Sequence, residues 1–459
     1  MKKLLKGLII AALAALSIMA ALDFGWRTEK ESQDALMALS GSALCGRIEE
    51  ITEDYIIEPV KEEADLPPAY DYRENGRSVP VRDQGQYGTC WAFASLTALE
   101  TSLMPDALYD FSRDHLNFHN HYQMETEEGG SYILSVSYLT AWEGPVLEED
   151  DPYGDNASPD GLEPVLHVQE VRMPGNRDFE AIKQTVYLHG GVESSLYMDF
   201  SNPGQDSAYY DRRNASYCYT GGAESNHDVV IIGWDDNYPA ENFKERPEGD
   251  GAFICQNSWG TGFGDHGVFY VSYYDANIGS YNAAYTKTED SSNYDVLYQS
   301  DLLGWCGQLG YNSELAYFAN VYEAEEDLQL RAAGFYATGE DTEYRLAVIP
   351  DFEDVQELSE AQFTQSGYFQ YAGYYTVEFD DSVSVKAGER FAVLVQIMTP
   401  ESQYPIAVEF ASGELEDKVT LDDGEGYISS DKGMMWERVE TAQNSNLCLK
   451  VYADREGAQ

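Results

Sequence analysis

The apolar positions of the chain predict a helical region first and strands after it. From Thr89 onward, apolar residues recur at helical spacing with no Gly or Pro before Pro105, which predicts one buried helix. Residues 229–234 and 268–274 are β-branched or aromatic runs bounded by Asp, Asn and Gly, as strands usually are. The first region therefore goes from helix to sheet.

The C-terminal region is predicted to consist of short strands. The strand-like runs follow one another without a helix-length periodic segment between them, at residues 332–337, 344–349, 374–379, 390–397 and 406–410. Turn signals such as Ala387-Gly388-Glu389 separate them. A polar patch at residues 286–293 divides this region from the first one. An antiparallel β-sandwich is the architecture that this pattern favours.

The N-terminus has the layout of a secretory signal peptide. Three lysines precede an apolar run at residues 7–22, which has 16 residues and small residues at its end. A membrane-spanning helix needs about 20 apolar residues, so cleavage near Ala20 or Ala21 is favoured over a permanent anchor. The acidic residues 23–65 are expected to form a pro-segment or spacer, which ends at Leu66-Pro67-Pro68.

Composition narrows the class of protein further. A chain of 459 residues is about three times the commonest domain size, so two or three domains are expected. The 81 acidic residues outnumber the 28 basic ones and give a net charge of −53, which repels nucleic acid and anionic lipid. A hydrophobic content of 43% is too high for a disordered acidic chain. The protein is therefore expected to be globular and to have no nucleic-acid partner.

Cys90 is the residue best placed for chemistry. A thiol in the first turn of a buried helix faces the positive end of the helix dipole, which stabilises the thiolate and lowers the thiol pKa. Cys90 is therefore a candidate nucleophile. The alternative is that it is one more small buried hydrophobic residue, as a single Cys often is.

The segment around Cys90 resembles the active-site segment of papain-like cysteine peptidases. The resemblance covers Asp83-Gln84-Gly85-Gln86-Tyr87-Gly88-Thr89-Cys90-Trp91-Ala92-Phe93. Tyr87 stands where the family usually has a Cys, which implies that the family's disulfide from that position is absent. Thr89 stands where Ser or Ala is usual. Residues 66–73 are similar to the start of the mature enzymes, which implies that the pro-segment ends just before Leu66.

The resemblance extends to a Cys/His/Asn site. His227 follows Cys90 by 137 residues, within the roughly 130 to 150 of the family, and is implied to take the thiol proton. Asn257 begins an Asn-Ser-Trp-Gly motif and is implied to orient His227, while Trp259 covers that hydrogen bond from water. Gln84 is implied to donate its side-chain amide to the oxyanion, together with the backbone N–H of Cys90. No metal or organic cofactor is expected.

The resemblance places the substrate cleft at Gly129, Gly130, Asp228 and Trp259. The two glycines stand where the family has paired glycines whose backbone pairs with extended substrate; the alternative is a plain turn. Asp228 stands where a small apolar residue usually follows the catalytic His and lines the pocket for the second residue before the scissile bond. A carboxylate there selects a basic side chain. The alternative is an Asp that bonds internally and touches no substrate.

The remaining Cys and His residues are candidates for disulfide or metal sites. The six Cys lack the paired short spacing of a zinc ribbon or a disulfide framework, and a pairing of Cys306 with Cys448 is left open. His115 and His119 have i, i+4 spacing and, with His121, are candidate metal ligands. A solvated helix face is favoured over a metal site, because no Cys or carboxylate completes the set.

The sequence predicts an α+β protein: a papain-like two-lobed peptidase, with a helical lobe and a β-barrel lobe, followed by an all-β sandwich. The expected boundaries are a signal peptide at 1–21, a pro-segment or spacer at 22–65, a papain-like peptidase domain at 66–288 and a lectin-like domain at 292–455. The last domain resembles the lectin-like domain that follows papain-like peptidases in some secreted bacterial proteins, through segments such as Gly334-Phe335-Tyr336 and Gly388-Glu389-Arg390-Phe391.

The predicted function is that of a secreted cysteine endopeptidase that hydrolyses peptide bonds through a thioester acyl-enzyme. Its partners are expected to be protein or peptide substrates, with glycan or cell-wall contact through the C-terminal domain and no stable membrane insertion. Its expected location is extracellular or at the cell surface. The alternative is a cell-surface or glycan-binding protein that works through the sandwich, with the peptidase domain as a scaffold or acting on cell-wall peptides.

Overall fold

The structure of the protein is a computed structural model, which describes residues 61–123, 129–421 and 423–457. The predicted signal peptide and residues 22–60 of the predicted pro-segment lie outside the described residues. Within the described residues, no helix is both long enough and apolar enough to cross a membrane.

The longer helices lie in the first half of the chain. The helices are α1 (Cys90–Leu103), α2 (Arg113–His119), α3 (Tyr132–Thr140), α4 (Phe179–Leu188), α5 (Glu357–Glu360) and α6 (Val439–Gln443). Helix α1 is the buried helix that the sequence predicts. It is buried from Trp91 to Thr101, because apolar and small side chains occupy all of its faces. Packing on all sides fixes its first residue, Cys90, against the neighbouring sheet.

The first half also contributes one side of a large sheet. Its strands are β1 (Ala69–Asp71), β2 (Leu166–Met173), β3 (Val192–Leu196), β4 (Tyr210–Asp211), β5 (Ser216–Tyr217), β6 (His227–Asp235), β7 (Ala252–Gln256), β8 (Val268–Ser272) and β9 (Asn282–Asp290). They are ordered β2-β9-β3-β6-β7-β8-β5-β4, and β1 pairs with the last residues of β6. Helix α1 packs against β6, which explains why that strand is buried along nearly its whole length.

The second half is built almost entirely from strands. They are β10 (Val296–Tyr298), β11 (Gly307–Leu309), β12 (Leu315–Glu323), β13 (Leu328–Ala337), β14 (Thr342–Ile349), β15 (Gln365–Phe369), β16 (Ala372–Val385), β17 (Arg390–Met398), β18 (Ile406–Phe410), β19 (Glu425–Ser429), β20 (Trp436–Arg438), β21 (Ser445–Leu447) and β22 (Leu449–Arg455).

The expected β-sandwich is confirmed in this half. The layer β10-β22-β13-β16 packs against the layer β15-β14-β17-β12-β19-β20. Phe335 and Val451 of the first layer share a hydrophobic core with Phe318 and Val393 of the second. The strands β11, β18 and β21 form a further small sheet.

The polar patch at residues 286–293 is only partly a boundary. Its first residues belong to β9, which continues to Asp290 and pairs with β2. Strand β2 in turn pairs with β16, with Val171 opposite Tyr374, so one sheet runs from the first half of the chain into the second. The polar side chains of the patch concealed the strand, because its partner lies more than a hundred residues away.

Candidate active site

Cys90 begins α1 and lies beside β6. Its N-cap residue, Thr89, makes no side-chain cap to the helix, and the Thr89 hydroxyl instead contacts the Tyr153 hydroxyl at 2.7 Å. The first N–H groups of a helix have no partner within the helix, so Cys90 lies at the positive end of the α1 dipole. The residue is only partly buried, as a nucleophile that meets an external substrate has to be.

A hydrogen bond joins His227 to Asn257. His227 is the first residue of β6, and Asn257 directly follows β7, the antiparallel neighbour of β6. The His227 Nε2 atom lies 2.7 Å from Asn257 Oδ1. Because the amide oxygen of Asn only accepts, Nε2 carries the proton of this bond, and Nδ1 is left for another partner. The Trp259 ring packs on the His227 ring, with the two centroids 4.8 Å apart.

The surroundings of Cys90 and His227 favour their neutral forms. Burial raises the pKa of the Cys90 thiol, and the carboxylates of Asp228 and Glu193 raise it further, while the backbone N–H groups of Asp228 and Trp91 lower it. Burial also lowers the pKa of His227 to about 4, against the opposing effect of Asn257. The expectation of a lowered thiol pKa is therefore wrong for the resting site, because it considered the helix dipole without the desolvation.

Gln84 lies next to the loop that carries Asn257. Its backbone N–H donates to Ser258 O at 2.8 Å, and the N–H of Gly260 donates to Arg82 O at 3.0 Å, so the two loops pair side by side. The Ser258 hydroxyl donates to Gln84 Oε1 at 2.6 Å, and Gln84 Nε2 donates to Tyr87 O at 2.8 Å. The amide is thus held at both ends, and a side-chain NH2 has a second hydrogen to offer.

Tyr153 is a structural support of the site that the sequence analysis did not assign. Its hydroxyl donates to Gln84 O at 2.9 Å and contacts the Thr89 hydroxyl at 2.7 Å. The rings of Tyr87 and Phe93 both meet it edge-on. Thr89 and Tyr87, the two departures from the family pattern, therefore share one contact. The signal in the sequence was the pair of departures, which together point to an altered neighbour.

Gly129 and Gly130 lie next to the start of helix α1. Gly129 has φ of +83°, a left-handed conformation that favours glycine. A Cβ atom added to Gly130 would lie 2.6 Å from Trp91 Cε2, so only glycine permits this approach to the residue after Cys90. The packing of Gly130 on Trp91 is compatible both with a plain turn and with a backbone that pairs with substrate.

Asp228 is buried and bonded within the protein. Its Oδ1 accepts from the Ser195 hydroxyl at 2.5 Å. For this oxygen, the structure matches the alternative in which Asp228 bonds within the protein. A second carboxylate, Glu193, lies on the adjacent strand and accepts from the Ser95 hydroxyl. Burial raises the pKa of Asp228 to about 6 and that of Glu193 well above its usual range. Sequence reasoning missed Glu193, because the register of β3 on β6 brings it here.

The sequence analysis expected the histidine cluster to be a solvated helix face, and the structure contradicts that expectation. His115 is buried, its Nδ1 lies 2.7 Å from the Tyr138 hydroxyl, and its ring stacks on that of His119. His121 lies 3.0 Å from Glu143. In the part of the chain that the structure describes, no group of three or more His, Cys, Asp or Glu side chains is placed to hold a metal ion.

The disulfide question has a structural answer. Cys306 and Cys448 are both free thiols. Cys306 leads into β11 and Cys448 follows β21, and these two strands pair with opposite edges of β18.

Comparison with known proteins identifies two domains. Residues 66–288 match the family model of the papain family cysteine proteases, and residues 297–453 match that of the lectin-like domain. The chain therefore carries a papain-family cysteine protease domain followed by a lectin-like domain. The family and the fold class expected from the sequence are confirmed.

Particular relatives support the same assignment. A viral cathepsin of Heliothis zea nuclear polyhedrosis virus is 27% identical over 214 residues, which are 45% of this chain and 52% of the relative. The chain thus spans about half the length of that protein.

Two solved structures share the fold at a TM-score of 0.72 each. One is a clostridial cysteine protease, Cwp84, after propeptide cleavage, at 23% identity, covering 84% of this chain and 99% of that one. The other contains the cysteine protease and lectin-like domains of Cwp84, a surface layer associated protein of Clostridium difficile, at 24% identity, covering 86% and 90%.

Proposed function

We propose that the protein is a cysteine endopeptidase that hydrolyses peptide bonds through Cys90, His227 and Asn257. The observation that carries this proposal is the 2.7 Å hydrogen bond between His227 Nε2 and Asn257 Oδ1, which leaves Nδ1 for the thiol. Cys90 begins the helix that packs on β6, the strand whose first residue is His227. The backbone N–H of Asp228, the residue after His227, acts on the Cys90 sulfur. Membership of the papain family supports the same reaction.

The first half of the reaction forms an acyl-enzyme. The Cys90 sulfur attacks the carbonyl carbon of the scissile peptide bond as its proton passes to His227 Nδ1. The oxyanion that forms is stabilised by the backbone N–H of Cys90 and by Gln84 Nε2. The carbon–nitrogen bond then breaks, the leaving amine takes the proton from His227, and a thioester remains.

The second half of the reaction returns the free enzyme. His227 takes a proton from water, the hydroxide adds to the thioester carbonyl, and the carbon–sulfur bond breaks. The proton on His227 returns to the Cys90 sulfur, and the carboxylic acid leaves. Asn257 and Trp259 hold and shield the imidazole through both halves and take no part in bond making.

Active-site labelling tests this function directly. Wild-type protein is expected to react with a peptidyl epoxide and to hydrolyse an unstructured protein substrate. Cys90→Ala is expected to lose both, with residual hydrolysis below about one thousandth of wild type. Cys306→Ala is the matched control, because Cys306 is also a partly buried free thiol but belongs to the second domain. Labelling that persists in Cys90→Ala and disappears in Cys306→Ala would overturn the assignment.

We also propose that the protein is exported and acts at the cell surface. The short apolar run at residues 7–22 supports export, and a protein of the same fold is surface-layer associated. The lectin-like domain supports a carbohydrate contact that keeps the enzyme near the wall. Fractionation of cells that express the full chain tests export, and deletion of residues 1–21 is expected to retain the protein inside. Binding of the purified protein to isolated cell-wall polysaccharide tests the contact.

A further inference from the structure

Two carboxylates lie side by side in the cleft region of the protease domain. In the pairing of β3 with β6, Ser195 is opposite Asp228, and Glu193 is opposite Val230. Residues two apart on a strand face the same side, so Glu193, Ser195 and Asp228 all point to one face of the sheet. Helix α1 covers that face, and its Ser95 donates a hydrogen bond to Glu193 Oε2.

The two carboxyl groups of this pair have no cationic partner in the described part of the chain. The partners that the structure gives the two carboxylates are hydroxyl groups: Ser195 for Asp228 and Ser95 for Glu193. Among the described residues, no Lys, Arg or His contributes to the pKa shift of either group, and the charge of Asp228 raises the pKa of Glu193. The Glu193 Oε1 atom is buried and lacks a hydrogen-bond partner among the described residues. A buried carboxylate oxygen of this kind needs a proton, a water or a cationic group.

The pair lies close to the nucleophile. Asp228 directly follows His227 in β6, and Ser95, which bonds to Glu193, belongs to the helix that begins at Cys90. Charges on Asp228 and Glu193 act on the Cys90 thiol and on the phenol of Tyr132, two residues after Gly130. Ser195, Tyr132 and Cys90 are all only partly buried, whereas Glu193 is 1% exposed. Glu193 is therefore more deeply buried than the three groups around it.

We propose that Glu193 and Asp228 together bind the cationic end of a Lys or Arg side chain of the substrate, at the second residue before the scissile bond. This inference rests on the proposed peptidase function and names its specificity. Asp228 meets the side chain first, and Glu193 receives its end.

The chemistry of the two side chains fits this pair of acceptors. An ammonium group has three donors and a guanidinium has five, so each can bond to both carboxylates at once. Two carboxylates compensate better than one for the cost of removing a cation from water. Because Glu193 is deeply buried, the basic side chain of the substrate must be long to reach it. A short basic side chain reaches Asp228 only.

A peptide series that varies only this position tests the proposal. The peptides carry leucine, 2,4-diaminobutyrate, ornithine, lysine or arginine there, and kcat/KM is measured for each. Wild type is expected to prefer lysine and arginine over leucine by about tenfold or more, and lysine over diaminobutyrate. Glu193→Gln is expected to lose the preference for long over short basic chains while still hydrolysing the leucine peptide. Asp228→Asn is expected to lower kcat/KM for every basic peptide.

Glu409→Gln is the matched control, because Glu409 is also a buried carboxyl but lies in the second domain. Equal kcat/KM for lysine and leucine in wild type would overturn the proposal, as would an unchanged lysine preference in Glu193→Gln. If Glu193→Gln does not fold, the chain-length series in wild type decides, and equal rates for diaminobutyrate and lysine would overturn the role of Glu193. Hydrolysis of the leucine peptide with no basic preference leaves the peptidase function intact, whereas no Cys90-dependent hydrolysis of any peptide would refute that function itself.

Discussion

The Ser258 hydroxyl donates a 2.6 Å hydrogen bond to the side-chain oxygen of Gln84. An amide held by its oxygen has its NH2 end directed the other way, toward the start of α1. Ser258 directly follows Asn257, so the residue that orients His227 and the residue that orients Gln84 are neighbours in the chain. One loop therefore holds both the imidazole of His227 and the side-chain amide of Gln84.

Loss of the oxyanion donor is expected to reduce turnover strongly. Gln84→Ala removes the side-chain donor, and we expect kcat to fall by roughly 10²-fold to 10³-fold with little change in KM. Ser258→Ala leaves the donor in place but frees its orientation, so its loss of kcat is expected to be smaller. Steady-state kinetics on one peptide measures both. An unchanged rate in Gln84→Ala would remove Gln84 from the mechanism.

Asn257 and Trp259 are expected to matter less than His227. Both only hold or cover the imidazole, so Asn257→Ala and Trp259→Ala should lower kcat without abolishing it, whereas His227→Ala should approach the loss seen in Cys90→Ala. Trp436→Ala serves as a tryptophan control in the second domain. A loss in Asn257→Ala as complete as that in His227→Ala would mean that Asn257 takes part directly.

The acid limb of the pH profile is expected near pH 4. His227 must be neutral to accept the thiol proton, and burial lowers its pKa to about 4. Activity that needs the neutral form is therefore present above this pKa and lost as the pH falls through it. We expect kcat/KM to fall below about pH 4, and Asn257→Ala to move the limb lower still, because the bond to Asn257 raises the His227 pKa. Circular dichroism at each pH separates titration from unfolding, and a limb near 6.5 would contradict the assignment.

The sequence predicted best where a single segment determines its own structure. Helix α1 follows from the spacing of its apolar residues, and strand β18 covers the same residues, 406–410, that the sequence marked. Strand β9 escaped detection, because polar residues such as Thr288 are held there by pairing with the distant β2.

The same division applies to the site. Motifs and their order pointed to Cys90, His227 and Asn257. Glu193 and Tyr153 escaped assignment, because strand register and side-chain packing, which local pattern does not encode, bring them to the site. The thiol pKa was predicted in the wrong direction for a related reason: burial depends on the whole fold.

Processing near Leu66 is expected to remove a stabilising contact. The Glu62 carboxylate lies 2.9 Å from both Arg172 and His189, and the Ala64 backbone bonds to the Gln184 side chain. Glu62→Gln should lower the melting temperature of the unprocessed protein slightly, since Glu62 is half-exposed and such ion pairs contribute about 1 kcal/mol or less. Once the chain begins at Leu66, Glu62 is no longer present, and the substitution cannot affect the melting temperature.

The neighbouring Glu63→Gln is the control for this measurement, because Glu63 is also an exposed carboxylate of the segment. N-terminal sequencing of the secreted protein determines where the chain begins. A mature start well upstream of Asp54 would contradict processing near Leu66, and equal melting temperatures of the unprocessed wild type and Glu62→Gln would show that the contact adds nothing.

Glu409 is expected to make the stability of the fold depend on pH. Its side chain is buried in the second domain, where Oε2 accepts from the Leu303 N–H at 2.5 Å and Oε1 accepts from Asn446 at 3.0 Å. Burial raises its pKa to about 8, and nearby Asp301 adds to the effect. The folded protein therefore holds this proton at pH values where the unfolded chain, with an ordinary Glu pKa near 4.3, has released it.

The sign of the effect follows from proton linkage. The contribution of Glu409 is fully present below the unfolded pKa and is lost as the pH rises through about 8. Urea unfolding of wild type and Glu409→Gln at pH 5 and pH 8.5 isolates it, because other titrating groups cancel in the difference. Since Gln has no proton to lose, the variant is expected to gain stability relative to wild type between these two values, by a few kcal/mol at most. A difference between the two proteins that is the same at both pH values would show that Glu409 does not titrate in this range.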